Sequence, residues 1–142
     1  MKINNDLNNL KIFAIGNPGP QREELLILIK IGKKTATSYP LKKADNPDDI
    51  KTQLGQLQIL VDSSNKHVGF VRITDVVIKQ LGAIDDSDVQ EEGEGFKDVA
   101  DWRKAHEKHW LEDKFILNKN DWQMPDDTNI VIERFNFENL NT

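Results

Sequence analysis

The order in which apolar spacing switches between helical and extended periods most limits the folds open to this chain. One helix-period stretch, Gln21 to Ile31, precedes three β-favouring runs; a second, about Lys97 to Glu112, precedes a last alternating run, Ile130 to Phe137. Strands that follow one another without a helix between each pair do not build an all-parallel α/β sheet, so the order predicts an α+β domain with a small β-barrel and flanking helices. The 142 residues suit a single domain over 1–142.

Pro20 opens the first helix and Gly32 closes it, the usual placing of the two residues. Leu25, Leu28 and Ile29 form one stripe, widened by Leu26, Ile27 and Ile31, so this helix is expected to be mostly buried. Thr35, Thr37 and Tyr39 then alternate up to Pro40. Residues 41–56 contain Asp45-Asn46-Pro47-Asp48, a turn-rich loop long enough for a lid that reads first as a mobile connection. Leu57 to Val61 and Val68 to Ile78 form a hairpin over Asp62–Lys66, its second strand long enough to bend or change partners. In the second helix Val99, Trp102, His106, His109 and Trp110 recur at three and four and are expected to pack on the sheet. In the last run Val131, Glu133, Phe135 and Phe137 share one face, and a carboxylate at 133 among aromatics needs a partner if it is buried.

There is no cysteine, which excludes disulfides, thiol nucleophiles and Cys-based zinc sites. His106 and His109 are three apart, not the metalloprotease spacing, and no metal site or cofactor is expected. The longest aliphatic run, Leu25 to Ile29, is far below the roughly 20 residues of a membrane span. No apolar signal segment opens the chain, and it reads as soluble and cytoplasmic.

A net charge of −5 argues against broad attraction to a phosphate backbone. Within that total, residues 21–43 set Arg22, Lys30, Lys33, Lys34, Lys42 and Lys43 against two glutamates. Residues 85–101 set eight carboxylates against Lys97 alone. Two solvated faces are one reading; a site where the segments meet, lysine against carboxylate, is the other. Gly32-Lys33-Lys34-Thr35-Ala36-Thr37 lacks the upstream glycine of a P-loop and leaves a helix instead of entering one. Alternation puts Thr35 and Thr37 on one side of the strand, Lys34 and Ala36 on the other. In Glu92-Gly93-Glu94-Gly95 the interleaved glycines permit a backbone path that holds an acid against a neighbouring surface; a solvated helix cap is the alternative.

Taken together, five segments resemble the ASCH domain family, a branch of the PUA-like superfamily of small β-barrels associated with RNA. They are Gly32–Thr37 after its helix, Arg72-Ile73-Thr74-Asp75-Val76, Glu91–Gly95, Trp102-Arg103 with His106, and Ile132-Glu133-Arg134-Phe135. The resemblance spans about residues 12–137 and is nearest the larger branch of mostly uncharacterised bacterial-type proteins. The family includes proteins without assigned activity, proposed RNA binders, a ribonuclease and an amidohydrolase that deacetylates acetylated cytidine. By motif, the resemblance puts that amidohydrolase's catalytic lysine at Lys34, its threonine at Thr37 and its glutamate at Glu92, with Glu94 near enough to compete. It further implies a pocket that takes RNA or a modified nucleoside, with Lys33, Glu94 and Arg103 as ligand-binding candidates.

A lysine base at neutral pH must fall about three units from roughly 10.4, about 4 kcal/mol. Contact with Glu92 works against that, so a Lys34–Glu92 pair suits a charged lysine that anchors an oxyanion or phosphate. Three readings follow: a nucleoside or single-stranded RNA pocket with hydrolysis open, a non-catalytic RNA-binding module whose 21–43 segment contacts phosphate, and an interaction domain whose pocket no longer binds nucleotides.

Overall fold

The computed structural model describes residues 9–112 and 124–139. In chain order the elements are β1 (Ile12–Phe13), α1 (Pro20–Lys30), β2 (Ala36–Pro40), α2 (Pro47–Lys51), β3 (Leu57–Val61), β4 (His67–Gln80), α3 (Asp86–Glu91), α4 (Val99–Glu112) and β5 (Asn129–Glu138). Among the described residues no helix is long and apolar enough to cross a membrane.

The strands form one mixed sheet in the order β1-β3-β4-β5-β2, with β1 parallel to β3 and the other pairs antiparallel. β4 is its spine: the first half pairs with β3, and Phe70–Gln80 pairs with β5 across an irregularity between Ile73 and Asp75. Both faces are covered. Val71, Ile73, Val131 and Phe135 meet Leu26 and Ile29 of α1 in one core. Ile130 and Ile132 turn the other way, to Trp102 and Trp110 of α4 and Val89 of α3. The alternation in β5 thus feeds two cores because a helical layer lies on each side.

The sheet is not closed into a barrel, which corrects the expected architecture. Its edges, β1 and β2, are not paired with each other: β1 has two residues, and β2 ends at Pro40, which has no N–H to give. Polar side chains stand where that pairing would close the sheet.

Two further expectations change. In α1 only Arg22, Leu26 and Ile29 are buried, while Ile27 and Ile31 are exposed, because the sheet covers a single face of the helix. Residues 41–56 are not simply a mobile connection: Asn46 caps α2 by accepting from the Asp48 N–H, and Gln53 beyond it is buried.

Candidate functional site: a polar cleft between the sheet edges

Between β1 and β2 lies a cleft of about 480 Å³, bounded by Ile12 to Asn17 on one side and Thr37, Ser38 and Tyr39 on the other. Lys34, Glu92, Glu94 and His106 line one end; Glu133, Gln53 and Gln58 line another part.

Lys34 follows the sharp end of α1, where Gly32 has φ +79° and Lys33 and Lys34 both donate to the Leu28 carbonyl. Its side chain is buried, the residue being 2% exposed. Nζ lies 2.7 Å from Glu94 Oε2, 3.3 Å from the Glu92 carbonyl and 3.6 Å from Glu92 Oε1. An ammonium has three N–H groups; Glu94 Oε2 and the Glu92 carbonyl accept two of them, and Glu92 Oε1 at 3.6 Å is an ion-pair contact beyond hydrogen-bond reach.

Glu92, 4% exposed, is held from β2, from α4 and from the loop that carries Lys34. Its Oε2 accepts from Ser38 Oγ at 2.5 Å and from the Trp102 indole N–H at 3.0 Å. Lys34 Nζ and His106 Nε2 each stand 3.6 Å from Oε1. Burial pushes this carboxyl up, but His106, Lys34 and Ser38 together outweigh it and hold Glu92 below the ordinary glutamate value. His106 Nδ1 is 2.9 Å from the Trp102 carbonyl, and Nε2 is the atom turned to Glu92.

The acidic segment reaches Lys34 because Gly93 lets it. A Cβ there would fall 2.1 Å from the Lys33 carbonyl oxygen, and φ is +67°. Gly95, at φ +86°, has open space around it. Gly95→Ala is expected to cost about 1–2 kcal/mol, the strain of a left-handed alanine. Gly93→Ala should cost clearly more, because it also drives the Glu92–Glu94 backbone off Lys33; urea midpoints of the two variants measure the difference. From the other side, Arg134 fastens the end of α3: Nε bonds both Glu91 oxygens at 3.0 and 3.1 Å, Nη1 meets Asp75 and Nη2 meets Asp88. Part of the acidic segment is therefore ion-paired within the fold.

Lys34, Glu92 and Glu94 thus come together. Thr37 borders the same cleft from the opposite face of β2, paired in register with Glu133, and its hydroxyl has no partner among the described residues. Lys33 is exposed and outside the cleft lining. Arg103 is not at the cleft, contrary to expectation. It binds Glu107 Oε2, Asp126 Oδ1 and the Met124 carbonyl, tying α4 to the segment before β5. One residue past Trp102 it is turned by a helical step away from the face that carries Trp102, His106 and Trp110.

Sequence reasoning gave no role to Ser38, Tyr39, Gln53, Gln58 or Lys11. Tyr39 Oη donates to Glu133 Oε2 at 2.5 Å, and Gln53 Nε2 donates to the same oxygen at 3.0 Å. Gln53 Oε1 in turn accepts from Gln58 Nε2 and Lys11 Nζ. Burial, then Glu133, push the Tyr39 phenol well above its ordinary value, so it remains a donor to Glu133. Only Ser38 and Tyr39 had a signal, as neighbours of Thr37 in one alternating strand; Gln53 sits in a segment with no period. Among the described residues no cluster of three or more His, Asp or Glu side chains could hold a metal ion.

An open α+β sheet, helices on both faces and a buried lysine–carboxylate cluster between its edge strands define the class of protein. A model of the ASCH domain matches residues 11–139, and the chain belongs to the ASCH domain family. No curated protein sequence matches it. The crystal structure of an ASCH domain from Lactobacillus crispatus JV V101 superposes with a TM-score of 0.70 at 22% identity, covering 92% of this chain and 82% of that one. Protein EF3133 from Enterococcus faecalis V583, of the family DUF984, gives 0.69 at 21% identity, covering 94% and 87%. At such identities the likeness is one of fold.

Proposed function

We propose that the cleft binds a modified nucleoside, free or as an unstacked base of RNA, with Lys34 as a charged anchor. The observation that carries this reading is the buried Lys34 ammonium in the cleft lining, paired with two carboxylates but hydrogen-bonded only to Glu94 and the Glu92 carbonyl, which leaves one N–H for a ligand. That arrangement suits an electrostatic anchor for a carbonyl oxygen and opposes a lysine that must give up a proton. Phe135 N–H donates to the Thr35 carbonyl and Leu41 N–H to the Asn129 carbonyl, so by ladder alternation the odd positions of β2 face β5. The Ser38 amide groups therefore turn to the open edge, a donor and an acceptor side by side as a heterocyclic base requires. The volume falls within the range of small-molecule sites.

Phosphate belongs outside. Glu92, Glu94 and Glu133 outnumber Lys34 and Lys11 in the cleft, and Arg22 points its donors at the Ile15, Gly16 and Asp62 carbonyls. The 21–43 segment thus offers fewer surface cations than its composition suggests, with Lys33 the exposed one nearest Lys34. If the ligand carries an acyl amide, the same anchor would hold its oxyanion while Thr37 orients water or the amide.

The protein incubated with acylated nucleosides and short RNAs, read by calorimetry and mass spectrometry, tests this. Binding should vanish in Lys34→Ala and persist in part in Lys34→Arg, with little salt dependence for a free nucleoside. Turnover that Lys34→Arg abolishes while still binding would make Lys34 a base, and no binding by any member of the panel would overturn the proposal.

A further inference from the structure

We infer that the part of the cleft around Glu133 is a binding site for a protonated amine. Glu133 is 4% exposed, and both donors that reach it, Tyr39 Oη and Gln53 Nε2, fall on Oε2. Two bonds occupy that oxygen's lone pairs. Oε1 has no partner among the described residues. Because no fully buried side-chain nitrogen or oxygen among them lacks a partner, Oε1 reaches open space, and the open space beside Glu133 is the cleft.

No cation pairs with this carboxylate among the described residues. Lys11, the other lysine of the cleft, donates to Gln53 Oε1 at 2.8 Å, and Lys34 is held by Glu92 and Glu94. A buried carboxylate supported by neutral donors alone is electrostatically incomplete, and a cation completes it.

The groups around Oε1 decide which cation. Tyr39 Oη has given its proton to Glu133 and offers only lone pairs; Thr37, across the ladder from Glu133, has an unpartnered hydroxyl. The corner is therefore rich in acceptors. An ammonium, with three donors and no acceptor, is its complement; an alcohol brings lone pairs of its own, and a carboxylate brings nothing else. Glu133 would take an amine whether or not the Lys34 end takes a nucleoside.

The test uses the whole chain and three probes of one size: n-propylammonium, n-propanol and propionate, titrated at constant ionic strength and followed by ¹H–¹⁵N NMR. Propylammonium alone should give saturable shifts at Thr37, Tyr39 and Glu133. Glu133→Gln, equal in shape, should weaken its binding at least tenfold. Thr37→Val touches none of Glu133's hydrogen bonds and should weaken it several-fold, which keeps the test decisive if Glu133→Gln fails to fold. Equal shifts from propanol, propionate shifts at Tyr39 and Glu133, or ammonium shifts confined to the acidic surface would each overturn the site. Nucleosides that fail to bind while propylammonium binds would sink the nucleoside proposal and leave this one standing; the reverse result would do the opposite.

Discussion

Trp102→Ala is expected to destabilise the fold by about 3–5 kcal/mol, the range for truncating a buried aromatic. The indole is 1% exposed, stacks on His106 with centroids 4.6 Å apart, and meets Trp110 edge-on at 6.0 Å. Its loss opens a cavity between α4 and the sheet, and it also removes a donor from the buried Glu92 carboxylate. The two losses separate in Trp102→Phe, which keeps much of the ring and lacks the N–H; that variant should cost less, about 1–3 kcal/mol for the missing hydrogen bond. Chemical denaturation measures both. A Trp102→Ala protein that keeps its melting temperature but loses ligand would make the indole a stacking platform and not a core residue.

The second large effect is in the Lys34–Glu92 pair. Lys34→Met should cost about 3–5 kcal/mol, since breaking a buried ion pair leaves a charge without compensation. Here Glu92 and Glu94 would remain beside one another with the ammonium gone. Glu92→Leu should cost less, because Lys34 keeps Glu94 at 2.7 Å, and the double variant should cost markedly less than the two singles added, because the buried Glu92 carboxylate is then not left without its ammonium. Additive losses would show that the two groups do not interact. The pH dependence has a definite sign. Glu92 is held below its ordinary value of 4.5 in the folded chain, so the unfolded chain takes up its proton first as pH falls. Its stabilising contribution is complete above that value and lost as pH drops through the lower, folded one. Stability of the unaltered protein should therefore fall more steeply below pH 4.5 than that of Glu92→Gln.

Much of the local structure was legible in the residue order. Pro20 and Gly32 bracket α1, and the odd–even division of β2 puts Lys34 and Ala36 in buried positions and leaves Thr35 and Thr37 half-buried. The Glu-Gly-Glu segment reads as a backbone able to press acids against a neighbour, and it does so against Lys34. These features depend on φ preferences and side-chain period, which act over a few residues and are written into them directly.

Other features depend on partners far along the chain. Ile27 and Ile31 have the apolarity of core residues yet lie exposed, because the sheet has only one face to offer α1. Arg22 and Arg103 look like surface cations but are held by carbonyl groups and carboxylates distant in sequence. Whether the strands close was also not a local matter: each run announces a strand, but closure needs two edges of matching length in reach, and β1 and β2 do not pair. From that open edge comes the cleft. It collects Gln53 from an aperiodic segment, Ser38 from the reverse side of a strand and Glu133 from β5, residues whose proximity no spacing encodes, because only the stacking of the sheet between its helices brings them together.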